Sequence, residues 1–106
     1  MQEATFLILT ALAARSQHGY GIVSDVATIS QGRVRLRAGT LYAALDRLRL
    51  EGWITVEREE VVDSRLRRYY RLTPLGMSEL AAEAARLQAN AAAALARLDA
   101  SKASTE

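Results

Sequence analysis

After Gly52 the hydrophobic period of this chain changes from that of a helix to that of a strand, and at Pro74 it changes back. Few small folds accommodate both switches. Before the first, in RAGTLYAALDRLRLEGWI (residues 37–54), Leu41, Ala44, Leu45 and Leu48 fall at i, i+3, i+4 and i+7, the stripe a helix buries. The other face carries Gly39, Thr40, Ala43, Asp46 and Arg47, small at its start and basic further on, unlike an ordinary solvated face. After the switch, Trp53 to Arg58 alternates, with Ile54 and Val56 on one side and Thr55 and Glu57 on the other. Arg68 to Leu72 places Tyr70 and Leu72 on a common face, so Tyr70 rather than Tyr69 is the core residue. With Asp63-Ser64 as the turn, this predicts a two-stranded hairpin whose tip and second strand are rich in arginine.

Helices flank this unit on both sides. Residues 3–15 pattern as a helix with Phe6, Leu9, Leu12 and Ala13 inward. His18-Gly19-Tyr20-Gly21 reads as a break, with His18 a turn residue, and a second helix follows over Tyr20 to Ser30 with Ile22, Val26 and Ile29 inward. Thr73-Pro74 opens the last helix, although Gly76 stands where a capping box would have Glu or Gln. Along it, Met77, Leu80, Ala84, Leu87, Ala91, Ala94 and Leu98 step alternately by three and four, a heptad seam. Over about 27 residues such a seam reaches roughly 40 Å, more than a small domain has surface to cover. A partner helix is expected, most simply from a second copy of the chain; the other reading is a helix lying along its own domain. The organisation read from the sequence is a domain over 1–73, a dimerisation helix over 74–100 and a disordered tail over 101–106.

Composition narrows the function. The 106 residues, half of them apolar, suit one modest core. With no cysteine and a single histidine, thiolate or histidine metal sites and thiol nucleophiles are excluded, and no metal or cofactor site is expected. The carboxylates have no serine or histidine patterned with them, and no phosphate-cradling glycine loop is present, so an enzyme is not expected. The apolar FLILTALAA stretch lacks the basic residues that precede a secretion signal and is too short to span a bilayer. It reads as a buried first helix of a cytoplasmic protein without membrane contact. Charge is concentrated in the middle: residues 33–71 hold ten arginines against six acids, while each flank is net −1. An anionic partner would be met there.

Three helices followed by a basic hairpin is the order of a winged helix-turn-helix, mainly α with a small β-hairpin, whose third helix enters a groove of double-stranded DNA. A helix approaching base edges needs small residues where the backbone comes close and long donors beyond them. Gly39, Thr40 and Ala43 supply the first; Thr40, Tyr42 and Arg47 supply the second. Arg33, Arg35 and Arg37 lead into the free amides of the helix start, and Arg65, Arg67 and Arg68 suit a wing that follows the phosphate backbone. Tyr42 reads as a phosphate contact. Tyr20 fits either that role or a half-buried packing position. Trp53 reads as packing between wing and helices, with ligand contact as a second reading. A winged-helix protein-interaction module that does not bind DNA is the alternative.

The strings HGYGI, GTLYAALDRLRLEGWI and RLRRYYRLTPLG, in this order and spacing, resemble the PadR-like transcriptional regulators, from Leu7 to about Leu98. The resemblance implies a homodimeric winged-helix repressor of the family's short branch, joined through its C-terminal helix and releasing DNA when a small, frequently aromatic, effector binds near the dimer interface. Two positions depart from the family pattern. Arg37 stands where a serine or threonine often caps the recognition helix, and Ala43 replaces a frequent proline.

Overall fold

The change of period at Gly52 is a helix-to-strand junction closed by a glycine at φ +80°, with the Trp53 N–H donating to the Leu48 carbonyl at 3.0 Å. The computed structural model describes residues 1–104. Its elements are α1 (Glu3–Ala14), β1 (Gln17–His18), α2 (Gly19–Ile29), α3 (Ala38–Leu50), β2 (Ile54–Val62), β3 (Arg65–Leu72) and α4 (Pro74–Ser104). The strands form one antiparallel sheet in the order β1-β3-β2. This is the winged helix-turn-helix that the sequence predicts, with a long C-terminal helix added.

Ile8, Leu9 and Ala11 of α1, Ile22 and Val26 of α2, and Leu41, Leu45 and Leu48 of α3 form the centre of the core, closed by Ile54, Tyr70 and Leu72 of the sheet. Two expectations fail here. Ala13 is exposed and Ile29 is partly so, whereas Leu7, Ile8 and Ala11 are buried. For α1 the reason is that it packs against α2, α4 and β3 together, so it is apolar nearly all round and its sequence shows no single stripe, whereas Ile29 is the last residue of α2.

Asp63 and Ser64 form the two-residue hairpin turn, both with positive φ (51° and 64°), and Val62 pairs with Arg65 across it. Both strands run to the turn, further than the alternating segments suggest. Between Val56, paired with Tyr70, and Arg58, paired with Tyr69, Glu57 is an extra residue, a bulge that bends the wing. Below it, the Arg58 guanidinium lies 3.9 Å from the centre of the Tyr69 ring, and the Tyr69 hydroxyl donates to Glu60 at 2.6 Å.

The break expected at His18–Gly21 is instead a strand joined directly to a helix. Gln17 pairs with Tyr70 and His18 with Tyr69. The buried Gln17 amide donates to the Ala11 carbonyl at 2.9 Å and to Asp25 at 3.0 Å. His18 caps α2, its Nδ1 accepting from the Gly21 N–H at 3.2 Å. This cap needs an unprotonated Nδ1. Burial, and then Arg67, hold the His18 pKa below the usual 6.5, with Glu60 pulling the other way. Unfolded chains therefore take up this proton at higher pH than folded ones. The stability it contributes is complete above 6.5 and is lost as pH falls through the lower folded value. His18→Asn, which keeps an acceptor that does not titrate, is expected to flatten the loss of stability between about pH 7 and pH 5 in urea titrations. A profile parallel to that of the parent would contradict this role.

At the start of α4, the Thr73 hydroxyl accepts from the Gly76 N–H at 3.0 Å and donates to the Gly52 carbonyl at 2.6 Å. Gly76 is buried, and a Cβ there would overlap the Trp53 carbonyl. The capping box is incomplete because no side chain fits at its third position. Further on, the helix continues through Ser104, so residues 101–104 are helical where a disordered tail is expected. No glycine or proline follows Gly76 to end it, and Lys102 in the last turn suits the helix dipole. Residues 105 and 106 of that expectation lie outside the described residues.

Candidate nucleic-acid interface

Helical spacing divides the exposed surface of α3 into three strips. Gly39, Ala43, Asp46 and Leu50 are outermost, and Leu50 is 90% exposed. Tyr42 lies on the flank that faces the wing. Thr40 and Arg47, seven residues apart, lie on the flank that faces α1. The helix starts at Ala38 behind Arg37, which has extended backbone and offers no side-chain cap, in keeping with an arginine at this position.

Between α3 and the wing runs an open cleft of about 900 Å³ lined by Tyr20, Tyr42, Asp46, Arg65, Arg67 and Arg68, with His18 and Gly19 at its base. Tyr20 is 82% exposed, which removes the packing reading for it. The Tyr42 ring lies against Gly19, where a Cβ would come within 2.5 Å of the Tyr42 hydroxyl. That glycine seats Tyr42 at the edge of the cleft with its ring half exposed. Arg68 is paired with Glu59 at 3.1 Å, an exposed ion pair of small worth. Among the described residues, Arg65 and Arg67 form no ion pair.

Arg47 is placed differently from the sequence reading. Its Nη2 donates to the Thr5 hydroxyl at 2.8 Å, which draws the guanidinium toward α1 and away from the outermost strip. Arg49, seven residues after Tyr42, lies on the wing-facing flank instead, beside Asp46, Ile54 and Thr55. The signal for it was in the sequence: a helical wheel centred on Tyr42, rather than on the small residues, brings Arg49 to the front. Gly39 has nothing within 4 Å of where its Cβ would be. The protein therefore has no internal need for a glycine there.

Trp53, half-buried at the base of the hairpin, lines a second cleft of about 460 Å³ between α1, α3 and α4, together with Thr5, Arg47, Glu79 and Arg86. On α4, Leu80 packs on the core, but Met77, Leu87 and Leu98 are exposed by 57%, 40% and 59%. Ala84, Ala91 and Ala94 are exposed as well. Among the described residues, no cluster of side chains could hold a metal ion and no helix is long and apolar enough to cross a membrane.

The family model described as "Transcriptional regulator PadR-like family" matches residues 8–82. A transcriptional regulator of Mycobacterium tuberculosis, Rv3488, is 38% identical over 73 residues, which is 69% of this chain and 64% of that protein. The chain thus spans less than two thirds of that relative's own length. Among solved structures, Bacillus subtilis PadR in complex with operator DNA aligns with a TM-score of 0.66 and 26% identity, over 74% of this chain and 46% of that one. A PadR family transcription regulator from Clostridium difficile R20291 aligns with a TM-score of 0.69 over 82% of this chain and 88% of that one, at 24% identity, a likeness of fold.

Proposed function

The chain belongs to the PadR-like family of transcriptional regulators, and from that premise we propose that it is a homodimeric, sequence-specific DNA-binding repressor acting in the cytoplasm. The observation that carries this reading is the cleft between α3 and the wing, which Tyr20, Tyr42, Arg65, Arg67 and Arg68 line together. In it, Gly39 and Ala43 let the α3 backbone approach base edges, and Arg37 and Thr40 contact DNA at the helix start. Arg49, on the wing-facing flank, takes the donor role that the sequence suggested for Arg47. The wing arginines follow the flanking phosphates. The B. subtilis relative bound to operator DNA supports the same mode of use.

Electrostatics provides the test. Alanine at Arg65 and Arg67 is expected to weaken binding to all DNA sequences alike, each lost phosphate contact lowering the slope of log affinity against log salt by about 0.9. Slopes identical to the parent's would remove the wing from the interface. The effector part of the reading is supported by the Trp53 cleft, which joins α3 to α4 and could couple occupancy to the spacing of two α3 helices. Trp53 is the only tryptophan, so its emission reports directly on that cleft. Planar aromatic compounds that bind there are expected to change the emission and to lower DNA affinity together. A screen that moves neither would count against control by an effector.

A further inference from the structure

The outermost strip of α3 carries one side chain able to make a hydrogen bond. Gly39, Ala43 and Leu50 have no polar group to offer, and Asp46 stands exposed among them. Among the described residues its carboxylate forms no hydrogen bond and no ion pair. Arg49 follows three residues later, and Arg65, Arg67 and Arg68 line the same cleft as Asp46, yet none of them pairs with it. The fold makes no use of this side chain. We propose that Asp46 reads a cytosine in the major groove, its carboxylate accepting a hydrogen bond from the N4 amino group; this rests on the DNA-binding function proposed above and assigns a base to it.

A carboxylate on a surface that approaches phosphates is repelled by them, so it weakens binding to every duplex unless a donor meets it. The major groove offers two such donors on base edges, cytosine N4 and adenine N6. Adenine N6 lies between two acceptors, its own N7 and the O4 of the paired thymine, and both repel a carboxylate. Cytosine N4 has an acceptor on one side only, the O6 of the paired guanine. Its other side is the C5–H edge, from which a carboxylate can approach. Cytosine is therefore the favoured base. Position along the helix agrees, because Ala43 lies about one turn before Asp46 and Leu50 about one turn after it, and neither competes for the N4 group. Aspartate is also the shorter of the two acids, which suits a helix that Gly39 and Ala43 allow to sit close to the bases.

The charge gives this role a signature that a merely structural side chain would lack. Removing the carboxylate takes away the N4 contact on the preferred site and takes away the phosphate repulsion everywhere. Asp46→Ala is therefore expected to bind a duplex of scrambled sequence more tightly than the parent does, while discriminating less between sites.

The experiment is a selection from a pool of randomised duplexes by the parent and by Asp46→Ala. Both proteins are then titrated against the parent's selected site, the same site with its cytosine pair changed to T·A, and a scrambled duplex. Since Asp46 makes no contact within the protein, the variant is expected to keep the parent's melting curve. The parent is expected to enrich a cytosine at one position of each half-site, and the variant to accept any base there. Changing C·G to T·A puts an acceptor in the place of the N4 donor. This should weaken the parent about tenfold and the variant by less than about twofold. A parent site without such a cytosine, or equal losses for the two proteins, would overturn the readout. So would a variant that binds all three duplexes more tightly by one common factor, which would leave Asp46 a source of repulsion alone. A parent that enriches no sequence would instead overturn the sequence-specific DNA binding on which the assignment rests.

Discussion

Leu87→Glu is expected to turn the proposed dimer into a monomer. A two-fold interface presents each substitution twice, so two carboxylates would be placed at the centre of one apolar seam. Each would have to lose its water, at several kcal/mol per ion, or force the helices apart. The core residues Leu41, Leu45, Leu48, Ile54 and Leu72 are all buried away from this position, so the winged domain is expected to keep its secondary structure. DNA affinity should fall by about 10²- to 10⁴-fold, because two half-sites one helical turn apart are no longer engaged together. Sedimentation and DNA titration on the same sample decide it. A Leu87→Glu protein that stays dimeric and binds as the parent does would remove α4 from the interface.

Gly76→Ala is expected to have the largest effect on the fold. The new methyl group would overlap the backbone carbonyl of Trp53, which cannot rotate away as a side chain could. To relieve it, α4 must move off the start of β2, and this strains the Thr73 hydroxyl that joins the Gly52 carbonyl to the Gly76 N–H. Overpacking of this kind costs about 3 kcal/mol, a drop in Tm on the order of 15 °C for a domain of this size. An unchanged melting curve would mean that the junction is looser than its geometry indicates. Gly39→Ala is the natural contrast. It adds the same methyl group where nothing lies within 4 Å, and alanine is the better helix former by up to about 1 kcal/mol.

The parts of this fold that were legible in the sequence are those set by local chemistry. The period switch at Gly52, the Asp63-Ser64 turn and the Thr73-Pro74 helix start each depend on residues within a few positions, and the structure has all three. β1 was not legible. Two residues carry no period, and Gln17 and His18 are extended because β3 is beside them. The inward residues of α1 were misjudged for a related reason, since a helix enclosed on several sides hides its orientation. At the candidate site, the places of Tyr42 on α3 and of the arginines on the wing, which line one cleft, follow from their positions in the sequence. The direction of Arg47 does not, because the Thr5 hydroxyl that holds it lies 42 residues away in the chain. The tail was misjudged because small polar residues after Ala100 suggest disorder in isolation, yet they continue a helix already formed.

The central claim is that the open strip of α3 beginning at Gly39 enters a DNA groove, and the most direct test is a titration of Gly39→Ala against DNA from upstream of the protein's own gene. The protein makes no demand for glycine at this position, so any loss of binding reports on a surface approaching from outside. The account predicts a melting temperature equal to or above the parent's and an affinity about tenfold lower, the equivalent of about 1.4 kcal/mol of lost contact. A Gly39→Ala protein with the parent's stability and the parent's affinity would contradict it.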